Sequence, residues 1–367
     1  MRPDSLVNLL FDANVAIIVA AIAVSISERA LSFAGYARSY KIRLRLVMAS
    51  VYILMLVPII LQTLNGAIGL QFPNFSDLLV SQYLKGNISM AATEFDSLLT
   101  FRKRVVETVT DGSSFALLGV AMVFLAAALA RVGYILFSLF HVQQIVRRSI
   151  SIRSIQRVRI VISDEINVPF STRSFFRFYV VLPQSLLVKQ KLLKISIGHE
   201  LQHIRQRDIN CEILTTAMSP LFVLNPAFWY LTRKIRSLRE FACDFAYLQK
   251  SNCAPRTYAC GLVKVAEMAF VKQPTRAVYA FSVPLVGRNK LFSRSIKSGL
   301  AERILVIANG EGDRPSSTFV NGLVMMMFVV LHMGIAAMQQ SQSWSYDRIM
   351  ISTVVNLERL NQINSSD

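Results

Sequence analysis

The stretch Ile197-Gly198-His199-Glu200-Leu201-Gln202-His203-Ile204-Arg205-Gln206-Arg207-Asp208 decides how the rest of the chain is read. It contains His-Glu-x-x-His. On a helix, residues four apart lie on one face, one turn from each other, so the imidazoles of His199 and His203 can reach the same metal ion. Glu200 projects about 100° round from His199, beside such an ion, where it could hold and deprotonate a water molecule. The chain has four histidines, and two of them are here. The competing reading is an ordinary polar helix that carries two histidines.

A second cluster lies downstream, in Thr232-Arg-Lys-Ile-Arg-Ser-Leu-Arg-Glu-Phe-Ala-Cys-Asp244. Glu240 and Asp244 are four apart and share a helix face. Zinc hydrolases commonly use two histidines and a glutamate and leave the fourth position to water, which suits Glu240 as third ligand. Asp244, one turn on, could accept the other ring N–H of a ligating histidine and fix its tautomer. The alternative is a salt-bridged surface helix, since Arg236 and Arg239 are close in sequence. Cys243 would close the site as a structural one, but it is read as lying on a different face from Glu240. No third histidine is near, so Tyr247 and Arg239 are the candidates for stabilising an oxyanion.

The 367 residues are 53% hydrophobic and 17% charged, with a net charge of +18. A positive mean hydropathy with few charges points to a membrane protein. The basic residues crowd just after apolar segments, as cytoplasmic loops do, and no nucleic-acid module is recognisable. Direct nucleic-acid binding is therefore not expected. Cys211, Cys243, Cys253 and Cys260 lack C-x-x-C spacing and read as small buried hydrophobes, reduced in the cytoplasm.

Four spans are expected, at residues 9–35, 46–66, 114–140 and 319–338. Pro58 would kink the second. Arg131 in the third is read as an anchor that snorkels, and His332 in the fourth as hydrogen-bonded to a neighbouring helix. Between the second and third, 67–112 is a polar connection with a helix over Thr93–Val109. Residues 141–318 hold 27 Lys+Arg against 11 Asp+Glu. That excess places this segment in the cytoplasm, with the termini and the 339–367 tail outside. The apolar run 213–231 is broken by Pro220 and Asn225-Pro226 into two short helices, and it reads as membrane-hugging or re-entrant. Residues 158–163 and 177–182 read as a hairpin, and the strand Phe175–Val181 as the edge where an extended substrate adds.

The two clusters and their surroundings resemble the BlaR/MecR family of integral-membrane zinc metallopeptidases, the antirepressor proteases of beta-lactam sensing. The likeness includes Val158–Phe170 with its Pro-Phe, Phe178–Pro183 ending in Leu-Pro, and Asn225-Pro226-Ala-Phe-Trp229. It also includes Arg239-Glu-Phe-Ala-Cys-Asp244, shortened between Glu and Ala. The resemblance covers residues 10–340 and implies a four-helix membrane protein with a cytoplasmic α+β zincin-like protease domain. It implies Zn2+ held by His199, His203 and Glu240, Glu200 as general base, and Asp244 as a partner behind a ligand. The implied partners are a protein substrate such as a transcriptional repressor, the bilayer of the inner membrane, and a second copy of the chain. The receptors of that family also cut themselves before the last span, in the region of Phe281–Ser298 here. Gln339–Asp367 is too short for their external penicillin-binding domain, so beta-lactam sensing is not expected. Where the family has Gly after Pro-Phe, this chain has Ser171. The Glu-x-x-x-Asp arrangement also looks like HtpX-type and CAAX prenyl proteases, which would make the protein a quality-control protease. A scaffold with a structural metal is the non-enzymatic alternative.

Overall fold

The apolar run after Leu9 folds as helix α1 (Pro3–Phe33), of which Leu10–Phe33 is long and apolar enough to cross a membrane. Its few polar side chains bond back to their own helix, Asn14 to the Leu10 carbonyl at 2.9 Å and Ser25 to the Ala21 carbonyl at 2.7 Å. Such pairing lets a polar residue sit away from water. The structure is a computed structural model. It describes residues 3–33, 35–36, 39–52, 75–110, 114–174, 176–271, 283–284, 293–309, 322, 326 and 352–357. The chain divides into two units, one of Met1–Arg29, Leu46–Ala126 and Thr318–Asp367 and one of Ala30–Arg45 and Ala127–Ser317.

Helix α2 runs from residue 40 and is described to 52, with residues 40–45 in the second unit and 46–52 in the first. Most of the expected second span, and the fourth with His332, fall outside the described residues. The 67–112 connection contains α3 (Phe75–Leu84) and α4 (Ala92–Thr110). Val80 and Phe95 are buried between them, and Tyr83 stacks on Phe95 with ring centroids 4.3 Å apart. The second helix long and apolar enough to cross a membrane is α5 (Phe115–Arg148), which ends eight residues beyond the expected span.

The second unit holds one sheet. Its strands are β1 (Ile150–Ile155), β2 (Val158–Ser163), β3 (Phe170–Arg173), β4 (Phe178–Pro183) and β5 (Val283–Pro284), in the order β1-β2-β4-β3-β5. The expected hairpin is corrected here. β2 and β4 run parallel, from Val158 opposite Phe178 to Ser163 opposite Pro183. The connection between them contains β3, which turns back and pairs antiparallel with β4, so no tight turn joins the two. Both β2 and β4 are therefore interior strands, and neither offers an edge to a substrate. Their near-continuous apolar sequence has the same cause, since both faces are covered. Val161 and Val181 pack with Val142 and Ile145 of α5 on one face. Ile160, Ile162, Val180 and Leu182 meet Leu193, Ile197 and Leu201 on the other.

Those last three belong to α6 (Gln190–Arg205), which carries the His-Glu-x-x-His motif. It is followed by α7 (Asp208–Met218), α8 (Pro226–Lys250), α9 (Pro255–Val271) and α10 (Ser293–Ala308). Pro220 and Pro226 do interrupt the 213–231 run, but the pieces are the ends of two longer helices. Leu192 and Ile195 of α6 share a core with Tyr258, Leu262 and Val265 of α9 and Ile307 of α10. Close approach of α8 to α6 depends on Gly198, where a Cβ would lie 2.3 Å from the Tyr247 ring.

Candidate metal centre

Helix periodicity in α6 brings the two motif histidines to one face, and both are fully buried. Their Nε2 atoms lie 3.1 Å apart, with the rings edge to face. Behind each ring, the Nδ1 atom is held. Tyr258 donates its hydroxyl hydrogen to Asp244 Oδ1 at 2.7 Å, so at 2.8 Å it must accept from His199 Nδ1–H. His203 Nδ1–H donates to Asp208 Oδ2 at 2.8 Å. With each Nδ1 so held, the two Nε2 atoms are left to face one another, the atoms from which these imidazoles would ligate a metal.

Helix α8 supplies the remaining groups from one face. Glu240 places Oε2 3.6 Å from His199 Nε2 and Oε1 3.7 Å from His203 Nε2. Asp244 lies 3.3 Å from His199 Nδ1, behind the ring, with Tyr258 interposed at shorter range. The expectation for Cys243 is corrected. Three residues on is only about 60° round a helix, not a separate face, and its sulfur lies 3.7 Å from His199 Nδ1. Among the described residues, His199, His203 and Cys243 offer ligand atoms that all lie within 4.8 Å of one another.

Three residues essential to this geometry are given no role in the sequence reading. Arg303 of α10 donates from Nε and Nη2 to the two oxygens of Asp244, each at 2.8 Å, and its Nη1 is 3.0 Å from Glu240 Oε2. Tyr258 comes from α9. Neither carries a local signal, because both reach the site only through packing of α9 and α10. Asp208 could have been found, five residues beyond His203, but only if the turn were known. Arg207 adopts a left-handed conformation, φ 62°, and folds Asp208 back onto the imidazole.

The two oxyanion candidates are placed differently. Arg239 is buried, with Nη2 2.5 Å from Glu212 Oε2 and Nη1 donating to the Asp208 carbonyl at 3.0 Å. Its guanidinium braces α8 against α7. Tyr247 packs its ring against Gly198 and lies 5.0 Å from the Tyr258 ring, beside the histidines. Of the cysteines, Cys211 and Cys243 are buried as expected, whereas Cys260 is exposed.

Burial opposes charge throughout the site, and the partners decide the outcome. For Glu240, burial is outweighed by the Arg303 guanidinium and the imidazoles, which hold the carboxyl at about 2. Asp244 is lowered by the same guanidinium and by His199 against its burial. Both imidazoles stand well above their ordinary value despite burial, through Cys243 and, respectively, Tyr258 with Asp244, and Asp208. Glu200 goes the other way. Burial raises it, and the histidines only partly offset this.

These residues fit a zinc ion. Tetrahedral bonds of about 2.0–2.1 Å separate ligand atoms by about 3.4 Å, close to the 3.1, 3.6 and 3.7 Å spacings of the two Nε2 atoms and the Glu240 oxygens. Glu200 is wholly buried, and neither of its carboxylate oxygens has a hydrogen-bond partner among the described residues. A bare buried carboxylate beside such a cluster is costly unless something polar is to be held there.

The family model described as BlaR1 peptidase M56 matches residues 9–291. The regulatory protein BlaR1 of Bacillus licheniformis is 29% identical over 155 residues, covering 38% of this chain and 25% of that protein. The chain thus matches about a quarter of the length of that relative.

Proposed function

Because this chain belongs to the M56 family of BlaR1-type peptidases, we propose that it is a membrane-anchored zinc metalloendopeptidase. His199, His203 and Glu240 hold the ion, Glu200 is the general base, and Asp244 supports His199 through Tyr258. The observation that carries this reading is the facing pair of Nε2 atoms 3.1 Å apart, with the unpartnered Glu200 carboxylate beside them. Zinc bound there supplies a Lewis acid that lowers the pKa of water to about 7. Glu200 takes the proton of the attacking water and returns it to the leaving amine, a task its burial-raised pKa suits. An extended substrate segment reaches β3, whose Ser171 neighbours Glu200, by taking the place of β5. Val283–Pro284 of the same chain pair with Phe170 and Ser171 on that strand.

The membrane arrangement proposed has four spans, with 46–66 and 319–338 joining the helices α1 and α5, and with 141–318 on the cytoplasmic side of the inner membrane. The excess of basic residues in 141–318 supports that orientation. The similarity to a regulatory protein favours regulated cleavage of a cytoplasmic protein, such as a repressor, over general quality control. The test is the Glu200→Gln variant of the full chain. It should bind zinc and retain a substrate protein uncut, and wild-type protein added afterwards should cut what it retained. Cleavage by the Gln variant would remove Glu200 as the base. His203→Ala should lose the metal as well as the activity.

A second reading, a closed structural site, draws on Cys243. Cobalt substitution separates the two. A strong thiolate-to-cobalt absorption band, lost in Cys243→Ser, would mean a cysteine ligand and a closed site, and its absence supports the open one.

A further inference from the structure

The corner between α7 and α8 is built inside out. From Ile213 to Thr232 no residue is charged. Its polar side chains Thr215, Thr216, Ser219, Asn225 and Thr232 are all buried. Its exposed side chains include Leu214, Leu221, Leu224 and Tyr230, with Leu221 at 45% and Leu224 at 55%. A corner facing water would show the reverse pattern, since Ser, Thr and Asn favour solvent and Leu burial.

The buried polar groups are satisfied within the corner. Thr215 donates to the Cys211 carbonyl at 2.9 Å, Ser219 to Thr216 at 2.8 Å, and the Trp229 indole N–H to Val223 at 2.9 Å. Asn225 accepts from the Ala227 amide at 3.1 Å. Internal satisfaction is what a non-helical turn requires when no water is available.

The corner is also fixed to α5. Arg131 donates to Ser219 Oγ at 2.8 Å and stacks over Trp229 and Tyr134, at 5.2 and 5.3 Å. This corrects its reading as a snorkelling anchor, because the guanidinium is spent on the corner. Beyond Arg131, α5 still exposes Val132, Leu136, Phe137, Leu139 and Phe140. Phe140 is nine residues further on, about 13 Å along the helix axis. A segment docked at Arg131 therefore lies well above the end of the apolar surface of α5.

We propose that residues 213–231 are inserted in the hydrocarbon of the bilayer beside α5, with Leu214, Leu221, Leu224 and Tyr230 facing acyl chains. The inference rests on the reading that α5 crosses the membrane. It anchors the metal centre at both margins of the corner, because α7 begins with Asp208 and α8 carries Glu240 ten residues after Tyr230, about 15 Å along the helix. The substrate bond is then cut close to the membrane surface.

The test uses the full chain with Cys253 and Cys260 replaced by serine, reconstituted in vesicles of phosphatidylcholine and phosphatidylglycerol. Nitroxides are placed singly at Leu221→Cys and Leu224→Cys, at Leu136→Cys as the α5 reference, and at Val188→Cys, where the domain surface is 88% exposed. At 221 and 224, collision with oxygen relative to an aqueous nickel chelate should match position 136 and exceed position 188 several-fold. Values at 221 and 224 like those at 188, with 136 still lipid-like, would overturn the insertion and leave the membrane reading intact. Water-like values at 136 as well would overturn both. As a label-free check, Trp344→Phe leaves Trp229 as the sole tryptophan, which acyl-chain bromines should quench. Unquenched emission counts against insertion.

Discussion

Arg303 and Asp244 meet through two parallel hydrogen bonds, Nε to Oδ2 and Nη2 to Oδ1, both 2.8 Å long and both buried. The third nitrogen of the same guanidinium reaches Glu240 at 3.0 Å. One residue of α10 thus neutralises a proposed ligand and the carboxylate that supports another, and it spans the i, i+4 spacing of α8 with a planar fork that lysine cannot reproduce.

Replacing Arg303 with methionine should leave two buried carboxylates without their cation and cost about 3–5 kcal/mol of stability. Zinc affinity should fall with it, and Arg303→Lys should recover part of the affinity. Thermal melts and zinc titrations on the full chain check this. Unchanged zinc affinity in the methionine variant would mean that Arg303 has no part in positioning Glu240.

Asp208→Asn should weaken zinc binding by about 10–100-fold while the fold persists, since the far nitrogen of His203 loses its carboxylate. The measurement is competition with a chelator of known affinity. An unaltered affinity would show that the α6–α7 turn holds His203 without help from that carboxylate.

Arg239→Met should act on stability and not on chemistry. Its guanidinium is committed to Glu212 and the Asp208 carbonyl, so its loss should cost about 3 kcal/mol. Turnover per folded, zinc-loaded molecule should stay the same. A fall in turnover without a fall in melting temperature would instead return Arg239 to the role of oxyanion stabiliser.

Glu240 is held at about 2, against an ordinary 4.5, and Asp244 is lowered too. A depressed carboxyl stabilises the fold fully above its unfolded pKa, and that stability is lost as pH falls through the folded value. Melting temperature should therefore be flat in this respect above about pH 5 and fall steadily towards pH 2. In Arg303→Met the decline should begin at higher pH, because the cation that lowers both groups is gone. Coincident acid limbs in the two proteins would mean that other partners set these pKa values.

Much of the site was legible because it is written in helix periodicity. His199 with His203, and Glu240 with Asp244, are each one turn apart, and a four-residue spacing needs no tertiary knowledge to interpret. The paired apolar strands were legible too, but not their direction. Two apolar runs look alike whether parallel or antiparallel, and only the intervening β3 decides which they are. Cys243 was placed on the wrong face although its offset of about 60° from Glu240 follows from helix geometry alone; how near its sulfur comes to His199 was set by the packing of α8 on α6.

By itself, the sequence determined what depends on neighbours along the chain: the apolar runs of α1 and α5, the motif on one face of α6, and the breaks at Pro220 and Pro226. Only the tertiary structure decided what arrives from afar. Tyr258 and Arg303 close the back of the site from α9 and α10, and Arg131 holds the α7–α8 corner. The physical reason is that periodicity fixes which way a side chain points from its own helix, whereas its partner is chosen by how separate helices pack, and no single segment records that.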